Sequence, residues 1–330
     1  MKEIEIGAND AGQRLDRFLK KYLCNAPLSY IYKALRKDIK VNGKREKEDY
    51  VLSEGDALQL YIADSELDAF CEKKRSRTAK RQFTICYEDD NLIAVNKPYG
   101  LLVHGDKTEK KDTLANQVVA YLIETGSYNP RLEKSFTPSP VHRLDRNTTG
   151  IVVFGKNAQA LRTLSDMFKE DGKISKYYYT IVYGQLDKPL HLKNKLAKDE
   201  ARNKGKVLPL SSPEGKYIET IVRPVCCTDR YSLVEAELVT GRSHQIRAHL
   251  ASAGHPLIGD SKYSGREYAG IERMLSERYN LTTQLLHAAR LEVKDAPEPL
   301  AYLNGTVISA PLPQNWKQIE KGLLGKEINI

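Results

Sequence analysis

No stretch of this 330-residue chain approaches the ~18 consecutive apolar residues that a membrane span needs. Met1 to Glu5 carry no apolar signal core, so export is not expected and the chain is expected to stay in the cytoplasm, away from membranes. None of the five cysteines, at 24, 71, 86, 226 and 227, forms a Cys-x-x-Cys pair, and an odd number argues against a disulfide framework. Reduced, mostly buried thiols are expected. Cys226 and Cys227 are adjacent in strand-like sequence, so their side chains point to opposite faces, which is a poor way to hold a metal. No internal repeat is visible, and residues 64–82 form the only compositionally biased tract. What remains is ordinary globular composition, 41% apolar and 29% charged, at a length that suits two domains better than one core. The net charge of +9 permits a polyanionic partner without demonstrating one.

Residues 12–62 read as a compact unit. Leu15, Phe18, Leu19 and Leu23 recur at helical spacing, and Pro27 ends that helix. Ser29 is the expected N-cap of a second helix running to about Lys37, with Ile31, Ala34 and Leu35 facing inward. Strand-like pieces follow at Ile39 to Val41, Tyr50 to Leu52 and Ala57 to Ile62, with an Asn42-Gly43 turn. Lys33, Arg36, Lys37 and Lys40 stand at helical offsets, with Lys44 and Arg45 close behind. The window 27–45 holds these six basic residues against one acid, Asp38. A solvated helix face is the plain explanation of such a pattern; the scarcity of opposite charge favours a phosphate-binding face. Residues 64–82 are acidic first and then basic from Lys73 to Arg81, and read as a linker.

Beyond Phe83, strand candidates (Leu92 to Asn96, Ile151 to Phe154, Tyr177 to Tyr183, Ile218 to Pro224, Ser232 to Val239, Tyr302 to Ile308) alternate with a few helices (Thr113 to Glu124, Ala158 to Glu170, Ser243 to Ala253). Strands joined directly to strands predict an α+β domain with a mixed, mostly antiparallel sheet.

Three constellations bear chemistry. In Val141-His-Arg-Leu-Asp145-Arg-Asn-Thr-Thr-Gly150, two arginines flank one aspartate in a polar loop that enters an apolar strand. Arginines beside a carboxylate favour its charged form, and a structural ion pair is, on charges alone, the commoner explanation. A kinase-type His-Arg-Asp loop fits poorly, since Asp145 stands three residues after His142 and no Gly-rich phosphate loop accompanies it. Thr240 to Leu250 contains His244, Arg247 and His249 around a helix start at Ser243. The two histidines, five apart, fall on different helical faces with no third ligand, so metal binding is not expected there. In Lys176-Tyr-Tyr-Tyr179, strand alternation sends Tyr178 to one face and its neighbours to the other, as core aromatics or as a base-stacking ring.

Taken together the chain resembles the RluA-type family of RNA pseudouridine synthases. The matching segments are His142 to Gly150 (with Thr149 in place of serine), Lys97 to His104, Lys176 to Tyr178, Gly241 to His249, Gly254 to Tyr263 and Leu286 to Ala288. Residues 13–56 resemble an S4 domain, a small RNA-binding module, and the branch most resembled is the S4-bearing, RluC-like one that acts on large-subunit ribosomal RNA. Departures are Thr180, where alanine is usual, and Lys294 to Pro297, where a His-Pro is often found. The resemblance implies an S4-like RNA-binding domain at 1–72, a basic linker at 73–82 and a catalytic domain of pseudouridine synthase type at 83–330. It implies isomerisation of uridine in RNA by one carboxylate, Asp145, acting as nucleophile at C1′ or as base at C2′, with no cofactor and no metal. By the same carry-over Arg247 pairs with Asp145, and Tyr178 stacks on the flipped uracil and helps remove the C5 proton. Arg143 enters the RNA, while Lys33, Arg36, Lys37, Lys40, Lys44 and Arg45 grip phosphates. A monomer with RNA as its partner is expected. The rivals are a non-catalytic RNA-binding assembly factor, and a glycosidase or nuclease, which requires a second carboxylate or a metal cluster; Asp90 and Asp260 sit in no motif suggesting that job.

Overall fold

The computed structural model describes residues 1–71, 80–106, 109–199 and 204–328. Strand β1 (Lys2–Glu5), helices α1 (Leu15–Tyr22) and α2 (Leu28–Lys37), strands β2 (Ile39–Val41) and β3 (Ala57–Leu60), and helix α3 (Asp64–Cys71) form an N-terminal unit. Its three strands pair in the order β1-β3-β2, and Leu15, Phe18, Leu19, Leu23, Ile31, Leu35 and Leu58 close a core of their own. Asn42 and Gly43 both take positive φ, 51° and 78°, the two-residue turn that Asn-Gly predicts.

Several details differ from the sequence reading. Helix α2 starts at Leu28 with Pro27 at the cap, and no side chain caps it, so Ser29 is not the N-cap. Proline needs no N–H partner and its fixed φ already suits a helix start. The helix ends at Lys37 and Lys40 lies on β2, both as expected, so Lys40 does not continue the helical face of Lys33, Arg36 and Lys37. Residues 50–52 contribute only an isolated bridge, Val51 to Arg14. The first part of the expected linker is helix α3, held to the core by Leu67; most of the basic run that follows lies outside the described residues. None of the five cysteines is fully buried: Cys24 and Cys227 are exposed, while Cys71, Cys86 and Cys226 pack partly against the cores.

The second unit contains β4 (Thr84–Glu88), β5 (Leu92–Lys97), α4 (Leu114–Glu124), β6 (Ser139–Pro140), β7 (Thr149–Gly155), α5 (Ala158–Met167), β8 (Ile174–Tyr183), β9 (Leu190–Asp199), β10 (Lys204–Leu208), β11 (Lys216–Cys227), β12 (Tyr231–Leu238), α6 (Gln245–Ser252), α7 (Ala269–Tyr279), β13 (Leu286–Val293), β14 (Val307–Ser309) and α8 (Trp316–Leu324). Its sheet runs β10-β9-β11-β12-β8-β13-β7-β5-β4, with β14 on β13 and β6 on β7. The sheet is mixed and mostly antiparallel, and β13 against β7 is its parallel pairing. Side chains alternate across it. Ile93, Val95, Val152, Phe154, Tyr178 and Val234 meet Val118 of α4 and Leu250 of α6 on one face. Leu92, Ala94, Ile151 and Val153 meet Leu164 of α5, and Ile181 and Leu233 meet Leu275 of α7 and Ile319 of α8, on the other. The strand expected at 302–308 is reduced to β14, since Ala301–Leu303 form a short 3-10 helix. Strands β4, β9, β10 and β13 and helices α7 and α8 stand beyond the elements expected from sequence.

The parallel step joins the two halves of the sheet. There Gly150 takes φ +108°, and a Cβ at that position would lie 2.1 Å from the Ala288 carbonyl oxygen. Only glycine lets β7 approach β13 this closely, so the residue ending the His142–Gly150 motif is set by packing.

The units meet through polar contacts. Buried Asp10 accepts hydrogen bonds from Ser135 N (3.1 Å) and Ser135 Oγ (2.5 Å), while Gln13 Nε2 donates to Ser135 Oγ at 2.7 Å. Asn9 Oδ1 accepts from Ala158 N at 2.9 Å, where Asn157 already caps α5. No helix among the described residues is long and apolar enough to cross a membrane.

Candidate active site

The loop from Val141 to Thr148 carries Asp145 and is held at both ends. His142 is not turned to the cavity as an acid or base: its Nε2 accepts the Val153 N–H at 3.2 Å, and its ring stacks on Phe168 at 4.4 Å. Burial pushes this imidazole down to about 3, so it stays neutral and able to accept. On the far side of Asp145, fully buried Lys97 donates to three carbonyls: Pro98 at 3.0 Å, Leu101 at 2.8 Å and Arg146 at 2.8 Å. Lys97 thus fastens the loop after β5 to the loop bearing Asp145, with all three bonds donated together only while the amine carries its third proton.

Burial pulls the Lys97 amine down to about 7, with the negative charge of Asp145 acting the other way. Unfolding returns it to 10.5, so between pH 7 and 10.5 the unfolded chain binds a proton that the folded chain does not. Folded-state stability therefore rises with pH through that window. Lys97→Met keeps the volume but strands three carbonyls, at a cost of about 2–4 kcal/mol. Urea unfolding at pH 7, 8 and 9 should show wild type gaining on the methionine variant as pH rises; a constant or shrinking gap would refute this role.

Arg247, on the first turn of α6, is buried. Its Nε and Nη2 each donate to Asp260 at 2.7 Å, a bidentate pair, and its Nη1 faces Asp145 Oδ2 at 3.4 Å. Asp260, 1% exposed, is therefore the principal partner of Arg247, and Asp145 is the second. This carboxylate was passed over in sequence because 13 residues separate it from Arg247 and its role appears only when the loop after α6 folds back. Gly259, at φ +73° with its Cβ position 2.3 Å from the Thr283 carbonyl oxygen, permits that return. His244 takes a left-handed conformation, φ 59°, at the start of α6 and brings its Nε2 to 3.7 Å from Asp145 Oδ2. His249 instead faces the core, with Nδ1 2.9 Å from Thr220 Oγ1.

Tyr178 points to the α6 face of the sheet. On the opposite face Tyr177 sits under Arg290 and Tyr179 donates to Glu235 at 3.2 Å, as alternation predicts. Burial, with Asp145 adding to it, pushes the Tyr178 phenol far above its ordinary value, so the hydroxyl keeps its proton at neutral pH. Thr180 fills the position where alanine is usual by donating its buried hydroxyl to the Leu285 carbonyl at 2.7 Å.

These residues surround one cavity of about 330 Å³, lined by Arg143, Asp145, Tyr178, Leu238, His244 and Arg247 among others. That volume is at the small end of ligand pockets and suits a single nucleotide unit. Asp145 keeps 29% of its side chain exposed there, while Arg247 keeps 7%. Arg143 is exposed at the cavity wall. The sequence-predicted residues Asp145, Tyr178, Arg247 and Arg143 are thus brought together. The six basic residues lie elsewhere, on the N-terminal unit. There Lys33, Arg36, Lys37, Lys44 and Arg45 are exposed, and Lys40 is partly covered with its Nζ 5.4 Å from the Tyr61 ring centroid. Lys97, His244 and Asp260 were missed as site residues, although each lies inside a motif that carried the resemblance.

A family model described as RNA pseudouridylate synthase matches residues 91–252. The chain is 35% identical over 309 residues to a Vibrio cholerae protein named ribosomal large subunit pseudouridine synthase C, covering 90% of this chain and 92% of that one. It is 35% identical over 303 residues to the Escherichia coli protein of the same name, covering 88% of each. Among solved structures, human RNA pseudouridylate synthase domain containing 4 superposes with a TM-score of 0.53 at 22% identity, over 70% of this chain and 88% of that one. Human RNA pseudouridylate synthase domain containing 1 superposes with a TM-score of 0.51 at 20% identity, over 78% of this chain and all (100%) of that one.

Proposed function

The chain belongs to the RNA pseudouridylate synthase family, and we propose that it isomerises uridines of large-subunit ribosomal RNA to pseudouridine with Asp145 as its catalytic carboxylate. The observation that carries the residue assignment is the cavity itself, where a part-exposed Asp145 sits against a buried arginine already committed to a second carboxylate. The named ribosomal relatives carry the substrate.

In this reading a uridine is taken out of its stack into the cavity, at a cost of a few kcal/mol that is least in loops or unfolded RNA. Asp145 acts on the sugar, at C1′ as nucleophile or at C2′ as base, and the glycosidic bond breaks. The uracil turns and joins through C5; the C5 proton leaves and N1 gains one, so the reaction balances without a co-reactant. Arg247 orients Asp145 through Nη1 while Asp260 fixes its plane. Tyr178 stacks on the base. Its phenol keeps its proton, which suits it to packing and hydrogen-bond donation and makes it a poor resting base for C5. Arg143 occupies the rim, where it supports the extruded nucleotide.

We infer further that residues 1–72 are an S4-like RNA-binding domain and residues 83–330 the catalytic domain. Its separate core and the exposed Lys33, Arg36, Lys37, Lys44 and Arg45 support a phosphate-gripping face. The protein works as a monomer in the cytoplasm, on RNA not yet buried in a finished subunit. The test incubates purified protein with protein-free large-subunit RNA, mature large subunits and bulk transfer RNA, and maps pseudouridine. Free ribosomal RNA should be modified fastest. Modification of transfer RNA alone would refute the ribosomal substrate, and no pseudouridine on any of the three would return the chain to a binding factor.

A further inference from the structure

His244 holds a left-handed backbone conformation, φ 59°, that residues other than glycine adopt rarely and at a cost. The conformation places its ring between two partners: Nδ1 is 3.1 Å from Tyr263 Oη, and Nε2 is 3.7 Å from Asp145 Oδ2. Tyr263 Oη already accepts the Gly205 N–H, from β10, at 2.7 Å. With one lone pair of Oη taken by that donor, the phenolic proton is free to go to Nδ1, and donation in that sense leaves the ring proton on Nε2. The chain from Gly205 through Tyr263 and His244 therefore ends in an N–H aimed at Asp145.

Burial pushes the His244 imidazole below its ordinary value and outweighs the opposing pull of Asp145, with Arg247 and Lys262 acting in the same direction as burial. The ring is thus neutral at neutral pH. Arg247 supplies the charge at Asp145 Oδ2, and its two shorter bonds go to Asp260. A neutral donor on the same oxygen fixes the carboxylate's rotation without adding a second cation that would blunt it as a base or nucleophile. At 3.7 Å the pair is beyond hydrogen-bond length, so the role requires the contact to tighten when a nucleotide fills the cavity.

We propose that His244 is a positioning residue for uridine isomerisation, its Nε2–H orienting Asp145 while Tyr263 and Gly205 fix the tautomer. The inference rests on Asp145 being the catalytic carboxylate. Full-length variants are compared on one RNA substrate by kcat and KM. His244→Ala should lower kcat about tenfold with KM within about twofold of wild type. His244→Gln, whose amide N–H reaches the same region, should recover to within about threefold. Both variants carry the same backbone cost at φ 59°, so a folding defect does not separate them. Adding Tyr263→Phe to His244→Ala should cost less than about twofold more, because the two residues act through one contact. A glutamine variant as slow as alanine, multiplying losses in the double variant, or full activity in His244→Ala with Asp145→Asn inactive would each overturn the role of His244. An active Asp145→Asn would instead overturn the catalytic assignment beneath it.

Discussion

Asparagine in place of Asp145 should abolish pseudouridine formation, lowering the rate by about a thousandfold or more, while RNA binding and stability stay near wild type. The activity half follows from chemistry: asparagine has the shape of aspartate but serves neither as nucleophile at C1′ nor as base at C2′. The stability half follows from the ion-pair geometry. Arg247 makes its two 2.7 Å bonds to Asp260 and meets Asp145 only at 3.4 Å, so neutralising residue 145 leaves no buried guanidinium without a counter-ion. With 29% of its side chain exposed, Asp145 is also not a packing element. Pseudouridine counts, RNA-binding titrations and urea midpoints measured on one preparation check all three parts. Residual turnover within tenfold of wild type would remove Asp145 from the chemistry.

The grouping of Asp145, Tyr178, Arg247 and Arg143 around one cavity was legible through the family resemblance of their short ordered motifs, whereas local signals alone left Asp145 in a structural ion pair and Tyr178 as a core aromatic. What was not legible depends on chain reversal. Asp260 and Arg247 are 13 residues apart and Arg247 and Asp145 are 102 apart, distances over which no periodicity reports. Lys97 entered only as the first residue of a matching segment, and its three carbonyl partners, one of them 49 residues away, appear only after the sheet closes. His244 was weighed by helical spacing, yet it stands just outside the helix in a left-handed conformation, where helical faces do not apply. The fold shows the same division. The core strands β5, β7, β8, β11 and β12 carry dense apolar runs, whereas the strand β9 is half-exposed and lysine-rich and reads as loop. Helix α2 ends at Lys37, where the sequence puts its end, because Asp38 takes a non-helical conformation and Ile39 is drawn into the sheet.

The opposite outcome is expected at the second carboxylate. Asp260→Asn should lower stability by about 3 kcal/mol, because it removes the principal partner of a buried guanidinium and leaves only the 3.4 Å contact to Asp145. Asp260 and Arg247 keep only 1% and 7% of their side chains exposed, so solvent does little to soften the loss. The pair also fixes the guanidinium plane. Freed from Asp260, Arg247 can turn further onto the more exposed Asp145, which recovers part of the lost pairing and withdraws the catalytic carboxylate from substrate. A drop in kcat of about a hundredfold is therefore expected at a temperature where the variant is still folded. The two aspartates are told apart by the double variant. In Asp145→Asn alone Arg247 keeps its main partner, and in Asp260→Asn alone it has Asp145 to turn to; with both neutral it has no carboxylate partner among the described residues. Stability of the double variant should fall below the sum of the single losses by about 1–3 kcal/mol. Strictly additive losses in urea unfolding would mean that Asp145 and Asp260 do not share Arg247, and that the 3.4 Å contact is proximity without coupling.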